Sequence, residues 1–128
     1  MRLLLDTPIF LWWVYGDAAL PAKIARAISD PVCEVYVSSV TAYEIATKHR
    51  LGKLALGALV LAGFAAEIGR NRFLELRLSF DHALMAGSFR VAHRDPWDRL
   101  LAAQAAVEGL THATVDHVFD QFSIALLR

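Results

Sequence analysis

The four residues before Asp6 constrain the fold most. Arg2 leads into Leu3-Leu4-Leu5, an apolar run without polar alternation that stops at a carboxylate. A strand solvated on one face reads polar at every second position, whereas a strand covered on both faces reads apolar throughout. The run therefore predicts a strand at the centre of a sheet, with helices above and below it.

The rest of the chain alternates strand and helix signals. A short aromatic segment spans residues 9–15, and Pro21 suits the first position of a helix running to about Ser29. Asp30-Pro31 breaks that helix, and residues 35–37 favour a strand. Ser38-Ser39 offers an N-cap for a helix over 40–51, which Gly52 ends. Residues 56–69 read as a helix and 73–78 as a strand, and Ser79 caps a helix that ends near Gly87. Asp95 is an N-cap, Pro96 fits the first helical position, and Asp98 falls in a first turn where the helix dipole favours a carboxylate. That helix runs to Glu108, with Gly109 as its stop and small alanines along its length. Residues 111–115 form a strand ended by Asp116, and a turn of helix leads to a last strand over 123–127. The pattern predicts one α/β domain over residues 1–128, with a mainly parallel central sheet flanked by helices.

Composition narrows the function classes. Apolar residues make up 56% of the chain, which suits a doubly covered sheet and leaves side chains for a partner surface. No apolar run approaches the ~18 residues of a membrane span, and the start lacks a signal peptide's long apolar stretch. Cys33 is the lone cysteine, so an internal disulfide is excluded and a cysteine-based zinc site disfavoured. A cytoplasmic protein without membrane association is expected. Basic and acidic residues balance at 13 each, yet nine of the basic ones lie between Lys48 and Arg99, against five of the acids. That stretch reads either as a rim tracking a phosphate backbone or as ordinary solvated helix faces.

Ligand sites in open α/β sheets lie beyond the carboxyl ends of the strands. Asp6 and Asp116 each end a strand there, Asp98 lies in a helix's first turn, and Glu44 sits one turn into the helix after 35–37. Each acid also has a plainer role. Asp6 would cap the next helix, Glu44 would pair with Lys48 at i,i+4, Asp98 would serve its helix dipole, and Asp116 would form a turn. Their shared edge is what singles them out. Two carboxylates ~5 Å apart repel by about 3 kcal/mol at an effective dielectric of 20, so such a cluster calls for a proton or a cation. All-oxygen ligands select Mg²⁺ or Mn²⁺, and the reaction that fits is phosphodiester hydrolysis.

Four blocks also carry a family resemblance. They are Leu3-Leu4-Leu5-Asp6-Thr7; Tyr43-Glu44-Ile45-Ala46 with Lys48 and Leu51-Gly52-Lys53-Leu54; His93-Arg94-Asp95-Pro96-Trp97-Asp98-Arg99-Leu100-Leu101-Ala102-Ala103-Gln104-Ala105; and Thr114-Val115-Asp116 with Phe119. In this order, spanning nearly the whole chain, they resemble VapC-type toxins of the PIN-domain family. The resemblance implies an Mg²⁺- or Mn²⁺-dependent endoribonuclease, the toxin of a type II toxin–antitoxin pair, that forms homodimers and is held by a VapB-like antitoxin. It implies an acidic site of Asp6, Glu44, Asp98 and Asp116, with Thr114 beside the metal water, Thr7 near Asp6, and Asp95 as a further contributor that acts mainly as N-cap. His93, Arg94 and Arg99 flank the pocket and are candidate RNA phosphate contacts, or else ordinary surface charge. The segment Phe10-Leu11-Trp12-Trp13-Val14-Tyr15 is partly core and partly a candidate dimer or antitoxin contact. One departure is Pro8, where this subgroup usually has histidine. Asp120 is an unusual further acid near the site.

Other readings fit less well. An aspartate-nucleophile phosphatase wants a second aspartate at position 8, and a receiver domain wants a late lysine where none follows Lys53. The standing alternatives are a catalytically silent PIN-like binding module and an RNA-processing nuclease without an antitoxin.

Overall fold

The computed structural model describes residues 1–55 and 57–128. Among them, β1 (Arg2–Leu5), β2 (Glu34–Ser38), β3 (Leu74–Leu76), β4 (Thr111–Ala113) and β5 (Leu126–Leu127) form one sheet in the order β3-β2-β1-β4-β5. Every neighbouring pair is parallel, so the mainly parallel expectation holds in its strongest form. β1 is central: Leu3 pairs with Val35 of β2 on one side and Thr111 of β4 on the other.

The uninterrupted apolar run of β1 is explained by two cores. Leu3 and Leu5 enter one, Leu4 enters the other, and all three are fully buried. The first core draws Ile9 and Phe10 from α1 (Thr7–Tyr15), Ile24 and Ile28 from α2 (Ala22–Ser29), Ile45 from α3 (Ser39–Arg50) and Val60 from α4 (Gly57–Ala62). The opposite core is built on Leu101, Ala102 and Ala105 of α7 (Pro96–Glu108), with Phe119 and Phe122 of a 3₁₀ helix (His117–Phe122). Alanines let α7 lie close to the sheet, and α6 (Phe80–Ser88) packs along its outer side.

Several boundaries differ from expectation, each for a local reason. The helix expected over 56–69 is divided at Gly63 into α4 and α5 (Phe64–Arg70); Leu56 itself lies outside the described residues. Gly57 permits a close approach of α4 to α3, because a Cβ there would meet that of His49 at 2.9 Å. β3 is shorter than 73–78 because Ser79 and His82 form a capping box that turns the chain into α6. β4 stops two residues before 115, where the Thr114 hydroxyl accepts from the Asp116 N–H and bends the backbone. β5 cannot begin at Ser123, which holds a left-handed φ of 52° at the end of the 3₁₀ helix.

The aromatic segment is mostly core. Residues 11–15 are half-buried against the first core, and Trp13 Nε1 donates to Asn71 Oδ1 at 2.9 Å. Large exposed apolar side chains lie elsewhere, notably Phe80 and Leu84 on α6 and Tyr43 on α3. Among the described residues no helix is long and apolar enough to cross a membrane.

Candidate metal centre

β1 delivers Asp6 to the carboxyl edge, and α1 begins directly after it with Pro8 in its first turn. Proline suits that position because it supplies no N–H where none is needed and its φ is already helical. Asp6 is therefore the α1 N-cap: Oδ1 accepts from Thr7 N at 2.9 Å, while Oδ2 accepts from Thr114 Oγ1 at 2.6 Å. The Asp6 N–H donates to Ala113 O at 3.0 Å, tying the ends of β1 and β4 together. Burial pushes the Asp6 carboxyl up to about 7; repulsion from Asp98 and Glu44 adds to this, and the Thr114 and Thr7 hydrogen bonds oppose it.

The other three acids arrive from separate elements. Glu44 is buried on α3 and takes Lys48 Nζ at 2.5 Å one turn along. Asp98, in the first turn of α7, accepts on Oδ2 from His93 Nε2 at 2.7 Å if that nitrogen carries the proton. Burial raises Asp98, the His93 bond opposes this, and the charges of Asp95 and Asp116 raise it further. Asp116 is exposed and caps the 3₁₀ helix, accepting from Val118 N at 2.9 Å. The Thr114 hydroxyl joins two of the four acids, donating to Asp6 and accepting from the Asp116 backbone. The plain roles are thus real for Asp6, Glu44 and Asp116, and they coexist with the coupling. Capping or pairing uses only part of a carboxylate's acceptor capacity.

The remaining expected residues divide. Asp95 caps α7, its Oδ1 accepting from Trp97 N and Asp98 N, and His93, Asp95 and Asp98 present ligand atoms all within 4.8 Å of one another. Thr7 contacts Asp6 through its backbone, whereas its hydroxyl bonds Thr41 Oγ1 at 3.0 Å and joins the starts of α1 and α3. Arg94 is exposed. Arg99 is reassigned: its guanidinium donates to the carbonyls of Ala86, Phe89, Val91 and His93, so it clamps the segment between α6 and α7 rather than offering itself to a phosphate. Asp120 pairs with Arg128 and His117, which explains it as an anchor for the C-terminal residues.

Three buried polar side chains whose roles were not read from the sequence support the pocket. His112 of β4 is fully buried, packs its ring 4.3 Å from that of Phe119, and places Nε2 4.0 Å from Asp6 Oδ1. Burial pushes it down to about 3, so it stays neutral. Ser38 Oγ donates to Gln104 Oε1 at 2.5 Å, joining the start of α3 to α7. A histidine and a glutamine inside otherwise apolar runs were the available signals.

Coupled oxygen donors around a buried carboxylate held near 7 fit a hard divalent cation, since a cation would relieve both the repulsion and the proton affinity. Comparison with known proteins agrees with this architecture. The PIN domain family model matches residues 3–125, and the chain belongs to the PIN domain family. Its fold is similar to that of VapBC2 from Rickettsia felis, solved bound to a DNA fragment from its promoter, with a TM-score of 0.73 at 16% identity over 99% of this chain and 98% of that one. It is also similar to VapBC-1 from nontypeable Haemophilus influenzae (TM-score 0.69, 19% identity, 99% and 97% covered). FitAcB from Neisseria gonorrhoeae gives a TM-score of 0.67 at 21% identity, with 98% and 96% covered. No curated protein sequence matches the chain.

Proposed function

We propose that this chain, as one PIN-like domain over residues 1–128, is a metal-dependent endoribonuclease and the toxin of a type II toxin–antitoxin pair. The observation that carries the reading is the buried Asp6 carboxyl, pushed up to about 7 by burial first and then by the like charges of Asp98 and Glu44, with Asp116 in turn raising Asp98. In this reading those four residues hold Mg²⁺ or Mn²⁺, directly or through waters. The bound ion polarises a phosphoryl oxygen and lowers the pKa of a water in its shell.

The chain's own groups prepare that chemistry. Thr7 N–H and Thr114 O–H fix the two oxygens of Asp6, and His93 orients Asp98. Lys48 offsets the Glu44 charge at the buried edge of the pocket. Asp95 holds the first turn of α7 and with it Asp98. His93 and Arg94 remain the candidate RNA phosphate contacts. The likeness to VapBC structures, together with the sequence blocks, supports a VapB-like antitoxin partner, and the homodimer and cytoplasmic location of this reading rest on the sequence alone.

RNA cleavage in Mn²⁺, by wild type and by Asp98→Asn, tests the activity. The expected loss is a hundredfold or more; equal residual cleavage by both proteins would refute it and favour a silent binding module. Growth arrest on expression, relieved by a small neighbouring gene, is the outcome expected for a toxin. Active enzyme without arrest would point to an RNA-processing nuclease instead.

A further inference from the structure

Beside the acidic pocket, α3 and α7 enclose an apolar groove of about 520 Å³ whose lining includes Val40, Tyr43, Leu78, Trp97 and Leu100. Its two aromatic residues each precede a pocket acid in the chain, Tyr43 before Glu44 and Trp97 before Asp98. Their ring centroids lie 6.5 Å apart with 53° between the planes, forming an open notch rather than a closed stack. Tyr43 is 66% exposed, although rings of this size normally gain by burial. Lys48 links groove and pocket: its Nζ lies 5.6 Å from the centre of the Trp97 ring and 2.5 Å from Glu44 Oε2.

We propose that this groove is a base-stacking subsite, in which Tyr43 and Trp97 receive the nucleobase next to the scissile phosphate of a single-stranded RNA. The proposal rests on the nuclease reading and deepens it. Lys48 Nζ, between the Glu44 carboxylate and the Trp97 ring, sets the groove next to the acids at which the phosphate would be seated, so the adjoining base falls to the aromatic notch. The groove offers that base an apolar floor from Val40 and Leu100, two ring faces and a cation at the rim. This combination suits stacking on a π-face, which tolerates any base and needs no hydrogen-bond code. Tyr43 is thus a positioning residue for substrate, and any preference between purine and pyrimidine at that nucleotide would originate here.

The test measures binding of a fluorescein-labelled 12-nucleotide oligouridylate in Mg²⁺, with Asp98→Asn as the parent protein to prevent cleavage. An otherwise identical oligomer in which every base is missing serves as control. Adding Tyr43→Ala should weaken oligouridylate binding about tenfold, while Tyr43→Trp stays within about twofold of the parent. The base-free oligomer should bind the parent and Tyr43→Ala alike. Thermal unfolding of each variant shows whether the fold is kept, and Tyr43→Trp carries the comparison if the alanine variant is unstable. If Tyr43→Ala binds oligouridylate as tightly as the parent, or loses the base-free oligomer equally, the subsite is refuted. Conversion of a dimer to a monomer by Tyr43→Ala at unchanged RNA affinity would assign the groove to a second copy and overturn the proposal. Failure of the wild type to cleave RNA in Mn²⁺ overturns the nuclease reading itself, and is thereby distinguishable from failure at Tyr43 alone.

Discussion

Burial places Asp6 where a carboxylate resists ionisation, and Asp98 and Glu44 add like charge nearby. The consequence for stability has a definite sign. Between pH 4 and 7 the folded chain keeps a proton on Asp6 that the unfolded chain, with an ordinary carboxyl near 3.8, has released. Stability of the metal-free protein therefore falls as pH rises through that window, by something of the order of 4 kcal/mol in total. Denaturant unfolding at pH 5 and pH 8 in EDTA should show the lower stability at pH 8, and Asp6→Asn should flatten the difference. At Arg99, four carbonyls receive the guanidinium, so Arg99→Ala should cost about 3 kcal/mol, against less than about 0.5 kcal/mol for exposed Arg94→Ala. Equal costs at the two arginines would remove the clamp from this account.

The start of α7 is the element on which the pocket most depends. Asp95 caps it, Pro96 begins it, and Asp98 is thereby fixed in the first turn. If Asp95 acts as a cap and not as a ligand, Asp95→Asn should keep both stability and any metal-induced rise in Tm, since asparagine caps equally well. Asp95→Ala should lower stability by about 1 kcal/mol. Loss of the metal response in Asp95→Asn would make Asp95 a ligand. This helix start was legible in the sequence because capping is local chemistry: Asp-Pro-x-Asp states its own geometry. β1 was legible for a similar reason, as three leucines without polar alternation, ending at an aspartate, read as a strand covered on both faces. The role of Arg99 was not, because its acceptors are backbone carbonyls 6 to 13 residues away that no residue type announces. Nor was the early end of β4, which depends on the Thr114 hydroxyl reaching both Asp6 and Asp116. The support from His112 was visible only as an anomaly, a histidine in a strand that reads as buried.

Over the whole molecule, strand order does the assembling. β1 lies between β2 and β4, so the residues that follow these three strands emerge side by side: Asp6 after β1, α3 with Glu44 after β2, and Asp116 after β4. α7 packs over the same sheet, and Asp98 in its first turn adds like charge to Asp6 and receives it from Asp116. Parallel pairing throughout is what gathers these ends on one edge, since an antiparallel neighbour would send its carboxyl end to the far side. Calorimetric titration of Mn²⁺ into wild type and Asp6→Asn, at pH 6 and pH 8, tests that assembly most directly. The account predicts saturable binding by the wild type, with more protons released at pH 6 than at pH 8, and none by Asp6→Asn. Equal binding by both proteins, or none by the wild type at either pH, would contradict it.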